Sequence, residues 1–290
     1  NEMLLRPKPV ARPGELWSIV PANRAGQTAR ENFCRPYYEA FRQEEGLFKG
    51  LIGYACIRPR LRTREGWEPI EAQLVSEDYF SFLGVAPVLG RGFLPEEAAQ
   101  GGADAVAVIS HAFWRKQFAG MMDVLGKTVT LNNTVVEIVG VAPKRFTGLD
   151  LQPPCLWMPA NMEPVLGQLV VYEFVGRLTE PRLATALEDH LTPIAAEVKK
   201  ELEGGNDPRW SRYGISPDFR RIRLEPMGRG LLGSSRSYLS PQIVNFLKFA
   251  AIATVLLLLI ACANVAGLFL ARTLQRRKEA ATRIALGATR

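Results

Sequence analysis

Histidine is almost missing from this 290-residue sequence, which holds only two, His111 and His190. Neither belongs to an HExxH pair or has a second histidine at ligand spacing, so a histidine-based metal site or catalytic centre has little to build on. His111 reads as a helix-cap or surface residue. Cysteine is scarce as well. Cys34, Cys56, Cys155 and Cys262 show no CxxC spacing and are too few for a disulfide scaffold. One bridge among Cys34, Cys56 and Cys155 is feasible in an oxidising space, but the sequence does not choose it. No GxxxxGK[ST] loop is present to cradle ATP, and no GxSxG elbow to present a nucleophile. The acid pair Glu96-Glu97 reads as a solvated loop or a helix start. The expectation is a non-enzyme, without catalytic residues, cofactor or metal.

The charge that is present is uneven. Lys and Arg number 36 against 29 Asp and Glu, a formal net charge of +7. Arg272, Arg276, Arg277, Lys278, Arg283 and Arg290 face a single acid, Glu279, so the last nineteen residues carry +5 and the rest only +2. A nearly neutral body argues against a nucleic-acid partner. The basic tail follows an uncharged apolar run, Phe249 to Ala271, of 23 residues. At a helical rise of about 1.5 Å per residue it covers roughly 34 Å, enough to cross a hydrocarbon core. A buried helix of a large soluble core is the alternative, but such helices seldom run six turns without a charge. The basic flank places residues 272–290 in the cytoplasm and residues 1 to about 245 outside it. With no initiator Met and no N-terminal apolar segment, the chain reads as a piece of a longer protein.

The outer part alternates between strand and helix periods. Residues 15–20 read as a strand, 36–48 as a helix with Pro36 in its first turn, and 51–58 and 68–76 as strands, the last with Ile70, Ala72 and Leu74 on one face. Later, Leu169 to Leu178 reads as a strand. A helix then begins at Pro181, capped by Thr179 or Glu180. Its apolar stripe is Leu183, Leu187, Leu191, Ile194, Val198 and Leu202, with Pro193 inside and Gly204-Gly205 as the stop. Arg220 to Leu224 reads as a further strand. Two βαβ-like units thus flank an insert. Within the insert, Val106–Ser110 reads as a strand and His111–Phe118 as a short helix. Lys127–Leu131 and Val135–Val141 form a hairpin turning at Asn132-Asn133. A Gly/Ser-rich stretch, Gly228 to Ser240, leads to the apolar run.

Several of these pieces resemble one family. Leu89-Gly90-Arg91-Gly92-Phe93 with Pro95-Glu96-Glu97 resembles the "LGRxFxxxE" stretch of MacB-like periplasmic core domains. Val108-Ile109-Ser110 with Trp114 and Phe118 resembles "VLSxxxWxxxF". Leu125-Gly126-Lys127 with Leu131-Asn132 resembles "LGKxxxLNG", and Val139-Gly140-Val141-Ala142-Pro143 with Phe146 resembles "VVGVxPxxF". Leu4-Leu5-Arg6-Pro7 is similar to the segment after a first transmembrane helix. Leu259 to Ala266 and Arg283 to Ala288 resemble the second transmembrane helix and the cytoplasmic segment of FtsX-like ABC transporter permeases, in wording nearest the duplicated permeases of acidobacteria. Two positions depart from the pattern. Asn133 stands where glycine is common. Glu279-Ala280-Ala281-Thr282-Arg283 stands for Glu-Ile-Ala-Val-Arg, which weakens the face that would pack on an ATPase.

The resemblance implies an α+β extracytoplasmic domain, made of porter-like βαβ units with an inserted β-rich subdomain, followed by one transmembrane α-helix. The porter-like part is residues 1–84 and 166–233, the insert 85–165, a linker 234–245, the membrane helix 246–271 and a cytoplasmic coupling segment 272–290. It implies a separate ABC ATPase subunit as partner, in a bacterial inner membrane. A homodimer and a periplasmic adaptor or envelope protein stand as further candidate partners. In the membrane helix, Ala263 and Gly267 form a small-xxx-small pair, and Asn264 is the polar outlier that needs a partner. Arg277, Lys278, Glu279, Arg283, Leu286 and Gly287 are the candidate ATPase contacts. The expected function is coupling of ATP hydrolysis elsewhere to conformational change in the outer domain, in efflux or mechanotransmission. The competing reading is a non-transporting scaffold that binds a periplasmic or envelope partner.

Overall fold

The computed structural model describes residues 10–23, 33–44, 46–98, 105–150, 152–166, 170–205, 219–227 and 241–285. They fall into two units, Asn1–Ser235 and Arg236–Arg290. In chain order the first holds β1 (Leu16–Ala22), α1 (Arg35–Gln43), β2 (Phe48–Ile57), β3 (Arg60–Arg62), β4 (Trp67–Pro69) and β5 (Ala72–Val75). Then come α2 (Tyr79–Leu83), β6 (Leu89–Gly90), α3 (Pro95–Ala98), β7 (Val106–Ile109), α4 (His111–Phe118), β8 (Thr128–Leu131) and β9 (Thr134–Val141). It closes with β10 (Leu156–Pro159), α5 (Glu163–Leu166), β11 (Glu173–Leu178), α6 (Ala184–Gly204) and β12 (Arg221–Pro226). The second unit holds α7 (Pro241–Ala285).

The two crossover units interleave. β1 and β2 both pair antiparallel with β11, so they run parallel to each other on its two sides. β11 and β12 flank β1 in the same way. The resulting order, β12-β1-β11-β2, makes each crossover pass over a strand of the other unit. The sheet then continues through β5, β10, β7, β9, β8 and β3 to β4. It therefore runs unbroken into the segment read as an insert: β2 pairs with β5, and β5 pairs parallel with β10 at Ala72↔Leu156. The β3–β4 hairpin, which precedes that segment in sequence, joins its far side through Leu61↔Leu131.

Both faces of the sheet are covered, so the central strands are buried on both sides and alternate between two cores. Leu51, Ala55 and Ile57 of β2 face a core shared with Tyr37 and Phe41 of α1, Leu187 and Leu191 of α6, and Phe113 of α4. Ile52 and Tyr54 face the other core, with Tyr79, Phe80 and Leu83 of α2 and with Phe146 and Trp157. Phe80, Phe146 and Trp157 meet at ring-centroid distances of 5.2 to 5.9 Å. Burial of each such ring stabilises the fold by about 1.5–3 kcal/mol.

Some local expectations shift. The helix expected over 36–48 ends at Gln43, because Gly46 adopts φ +81° and Phe48 opens β2. The strand expected over 68–76 is two strands. At the break, the Ile70 N–H donates to Pro59 and the Glu71 carbonyl accepts from Cys155. Leu183 is 53% exposed rather than part of the buried stripe. The chain enters α6 through a 3-10 turn, Pro181–Leu183, whose tighter winding rotates that side chain outward. The turn at Asn132-Asn133 has φ of 46° and 70°, as a two-residue hairpin requires.

The outer edge of β12 is closed by side chains of α6. The Ile222 N–H donates to Thr192 Oγ1 at 3.0 Å, and the Leu224 N–H to Glu188 Oε1 at 2.8 Å. Covering a free edge in this way removes a template for unwanted strand pairing.

Candidate functional site

Four of the sequence motifs, distant along the chain, meet around β9. β6 pairs with its C-terminal end at Leu89↔Val141 and Gly90↔Gly140. β7 runs parallel to it and β8 antiparallel. The Gly126 N–H donates to the Ile138 carbonyl, and the Ile138 N–H to Lys127. The backbones of β6 and β9 approach so closely that only glycine fits. A Cβ on Gly90, which also has φ +69°, would lie 2.2 Å from the Val139 carbonyl oxygen, and one on Gly140 2.2 Å from that of Arg91.

The same contact is clasped by an ion pair the sequence did not disclose. Glu97 is 8% exposed, not solvated. Arg91 Nη1 and Nη2 donate to its two carboxylate oxygens at 2.8 and 2.6 Å. Glu97 also accepts from the Leu94 N–H at 2.8 Å, which caps the short helix that begins at Pro95. The Glu97 carbonyl accepts from Asn161 Nδ2, tying the clasp to the turn after β10. Spacing from Arg91 to Glu97 was the available signal, but only the folded backbone between β6 and the short helix from Pro95 brings the two side chains together.

The Arg91 guanidinium, followed by the Leu94 N–H, holds the Glu97 carboxyl below its usual range despite burial. A depressed folded pKa gives a contribution fully present above the unfolded value of about 4.3 and lost as pH falls through the folded value. Glu97→Gln is therefore expected to cost about 1 kcal/mol near neutral pH, the half-exposed arginine keeping the loss small. Unfolding midpoints measured from pH 7 down to pH 3 should converge with those of the parent chain as the acid limit is approached. A constant gap across that range would exclude this linkage.

The second unit carries the other candidate residues. α7 is 45 residues long and unbroken. Its segment Phe249–Thr273 is long and apolar enough to cross a membrane, and none of it is buried. A core helix of a soluble protein would be mostly buried, so exposure and composition together favour the membrane reading. Thr254 and Thr273 donate their hydroxyls to the carbonyls of Ala250 and Phe269, one turn back. Ala263, Asn264 and Gly267 fall on one face at helical spacing, and nothing lies within 4 Å of where a Gly267 Cβ would stand. Arg277, Lys278, Glu279 and Arg283 lie in the same helix, with Lys278 exposed. Leu286 and Gly287, together with Leu4 to Pro7 and the Gly/Ser-rich stretch 228–240, lie outside the described residues.

Other titratable groups make local contacts. His190 Nε2 lies 2.8 Å from Glu44, and His111 opens α4 with its ring edge-on to Trp114. The four cysteines are free thiols. Burial pushes Cys34 up to about 12; burial and then the Asp150 carboxylate do the same to Cys56. A cleft of about 230 Å³ beside α1 is lined by Arg35, Tyr38, Arg42, Glu77 and Tyr172. Its two arginines are already paired, with Glu39 and Glu77. Among the described residues no group of three or more His, Cys, Asp or Glu is gathered that could hold a metal ion.

The described residues thus form an interleaved α+β sheet domain and, as a separate unit, one helix with a segment long and apolar enough to cross a membrane. The chain belongs to the MacB-like periplasmic core domain family, whose pattern matches residues 6–194. The periplasmic region of MacB from Actinobacillus actinomycetemcomitans shares the fold with a TM-score of 0.51 and 15% identity, over 75% of this chain and 90% of that one. The extracellular domain of the noncanonic ABC-type transporter YknZ from Gram-positive bacteria aligns with a TM-score of 0.50 and 12% identity, over 72% and 98%. A comparison with curated proteins finds no match. Membership of this family implies membrane association and, in general, an ABC ATPase partner.

Proposed function

We propose that the chain is part of the transmembrane subunit of a MacB/FtsX-type ABC transporter, coupling ATP hydrolysis by a separate ATPase to conformational change of the outer domain. The observation that carries this reading is the continuity of α7. One helix runs from the apolar span Phe249–Thr273 through the basic segment to Ala285. A continuous helix resists bending, so force applied at its basic end is delivered to the span as tilt or shift. The basic flank sets that end in the cytoplasm and residues 1 to about 245 in the periplasm of a bacterial inner membrane. ATP binding is assigned to a separate subunit, as the family resemblance implies, and residues 1–290 hold no P-loop.

Within the span, Ala263 and Gly267 allow close approach of a second helix, and the Asn264 amide supplies its hydrogen bond. Arg277 to Gly287 is the proposed ATPase contact, with Glu279 and Arg283 one turn apart. The test is purification of the full-length parent protein from its membrane. Recovery of a stoichiometric ATPase is expected, weakened about tenfold or more by Glu279→Ala combined with Arg283→Ala. Recovery of an envelope protein without any ATPase would favour the scaffold instead. The loss of larger apolar side chains at Ala280 and Thr282 would then be its explanation.

A further inference from the structure

We propose that the exposed face of β3, β4, β8 and β9 is a docking surface for an acidic polypeptide segment that presents carboxylates at alternate residues of an extended backbone. The observation begins in the sequence. Arg58, Arg60, Arg62 and Arg64 alternate, and all four are exposed while Pro59 and Leu61 between them are buried. Arg58 is engaged by Glu71 at 2.6 Å and by Gln152. Arg60, Arg62 and Arg64 make no side-chain hydrogen bond or ion pair among the described residues.

Strand register assembles the rest of the face. Arg60 stands opposite Pro69, and Arg62 opposite Trp67, so the arginines share a side with a partly exposed indole. On the other flank, Leu61↔Leu131 places Thr130 on the arginine side, and Thr130 pairs with Val135, which is 58% exposed. The reverse of the same strands is core, with Leu61, Val129, Leu131 and Val136 buried there. Glu68 pairs with Leu61 and so belongs to the other side. Glu137, opposite Thr128, and Glu65 in the hairpin turn bound the basic patch. The hairpin is held in place rather than left loose. Asn132 Oδ1 accepts from the Arg60 N–H at 2.8 Å, and the Asn132 N–H returns a bond to Arg60.

Charge complementarity names the occupant. Side chains two apart on a strand repeat about every 6.7 Å, the same repeat an extended acidic segment offers. The guanidinium fork fits a carboxylate with two parallel hydrogen bonds, and Arg and Trp are the residues that anchor interface centres. Addition of a strand at the β4 edge is a poorer fit, because β4 has three residues and ends in Pro69, which lacks an N–H.

The test uses the full chain in phosphatidylcholine nanodiscs and a labelled peptide alternating Glu and Thr, followed by fluorescence anisotropy. The controls are the same peptide with Gln for Glu, and phosphatidylglycerol vesicles. Binding of the Glu peptide that weakens with salt is expected, with no binding of the Gln peptide. Combining Arg60→Gln, Arg62→Gln and Arg64→Gln should weaken it about tenfold, and the three Arg→Lys changes about threefold, at unchanged thermal midpoints. The Lys set preserves charge and exposure, so it remains readable if the Gln set misfolds. Equal binding by the parent and the Gln set, or by the parent and the Lys set, would overturn the proposal. So would capture of phosphatidylglycerol vesicles without the peptide, or no binding of either.

Discussion

Gly140→Ala is expected to destabilise the outer domain by about 3 kcal/mol, lowering its thermal midpoint by roughly 10 °C. The added methyl would sit 2.2 Å from the Arg91 carbonyl oxygen, a backbone atom that cannot rotate aside. β6 cannot simply retreat. The Val88 N–H bonds to Val141 at 2.8 Å and the Arg91 N–H to Val139 at 3.0 Å, so withdrawal breaks both. It also pulls Arg91 away from Glu97, leaving a carboxylate that is 8% exposed without its cation. Gly140 does not need a positive φ, so the penalty is steric alone. Gly204→Ala at the end of α6 is the matched control, with nothing within 4 Å of the added methyl and an expected change within about 0.5 kcal/mol. Near-ultraviolet circular dichroism would follow the transition, since Trp157 is fully buried in the aromatic core. An unchanged midpoint for Gly140→Ala would show that the β6–β9 approach is not required.

The second large effect concerns α7 and rests on the proposed coupling role. Gln275→Pro should leave ATPase association intact and abolish transmission. Residue 275 lies just beyond the span that ends at Thr273 and before the segment proposed to contact the ATPase. Proline there removes one backbone hydrogen bond and collides with the carbonyl four residues earlier, at a local cost of about 3 kcal/mol, and it kinks the helix. The measurement is hydrogen exchange over residues 10–227 of the parent protein with its ATPase, with and without ATP. A nucleotide-dependent difference is expected in the parent and in Gln275→Ala, and none in Gln275→Pro. Persistence of that difference in the proline variant would sink the rigid-helix mechanism, while loss of ATPase binding would assign the kink to the contact itself.

Several elements were legible because their determinants are local. The apolar run from Phe249, the Asn132-Asn133 turn and the helix from His111 each declare themselves within a few residues. The α6 stripe was read correctly at Leu187, Leu191 and Val198, and failed at Leu183, where a 3-10 turn changed the period. The motifs around Gly90, Trp114, Lys127 and Gly140 pointed to the family, yet each piece alone carried no geometry. Glu97 was misread for that reason. Its environment is set by Arg91 and by Asn161, the latter far away in sequence.

The arginine row at 58–64 is visible in the sequence, but its meaning depends on which strands lie beside it. The sequence by itself determined the class of protein: an apolar span with a basic flank, helix and strand periods, and turn residues, all governed by short-range sterics and solvation. Tertiary structure alone decided that one sheet runs from β12 to β4, that Glu97 is clasped and that Arg60 and Arg62 share a face with Trp67. Those outcomes depend on strand order and register, which are fixed by the sum of many weak contacts between residues distant in the chain.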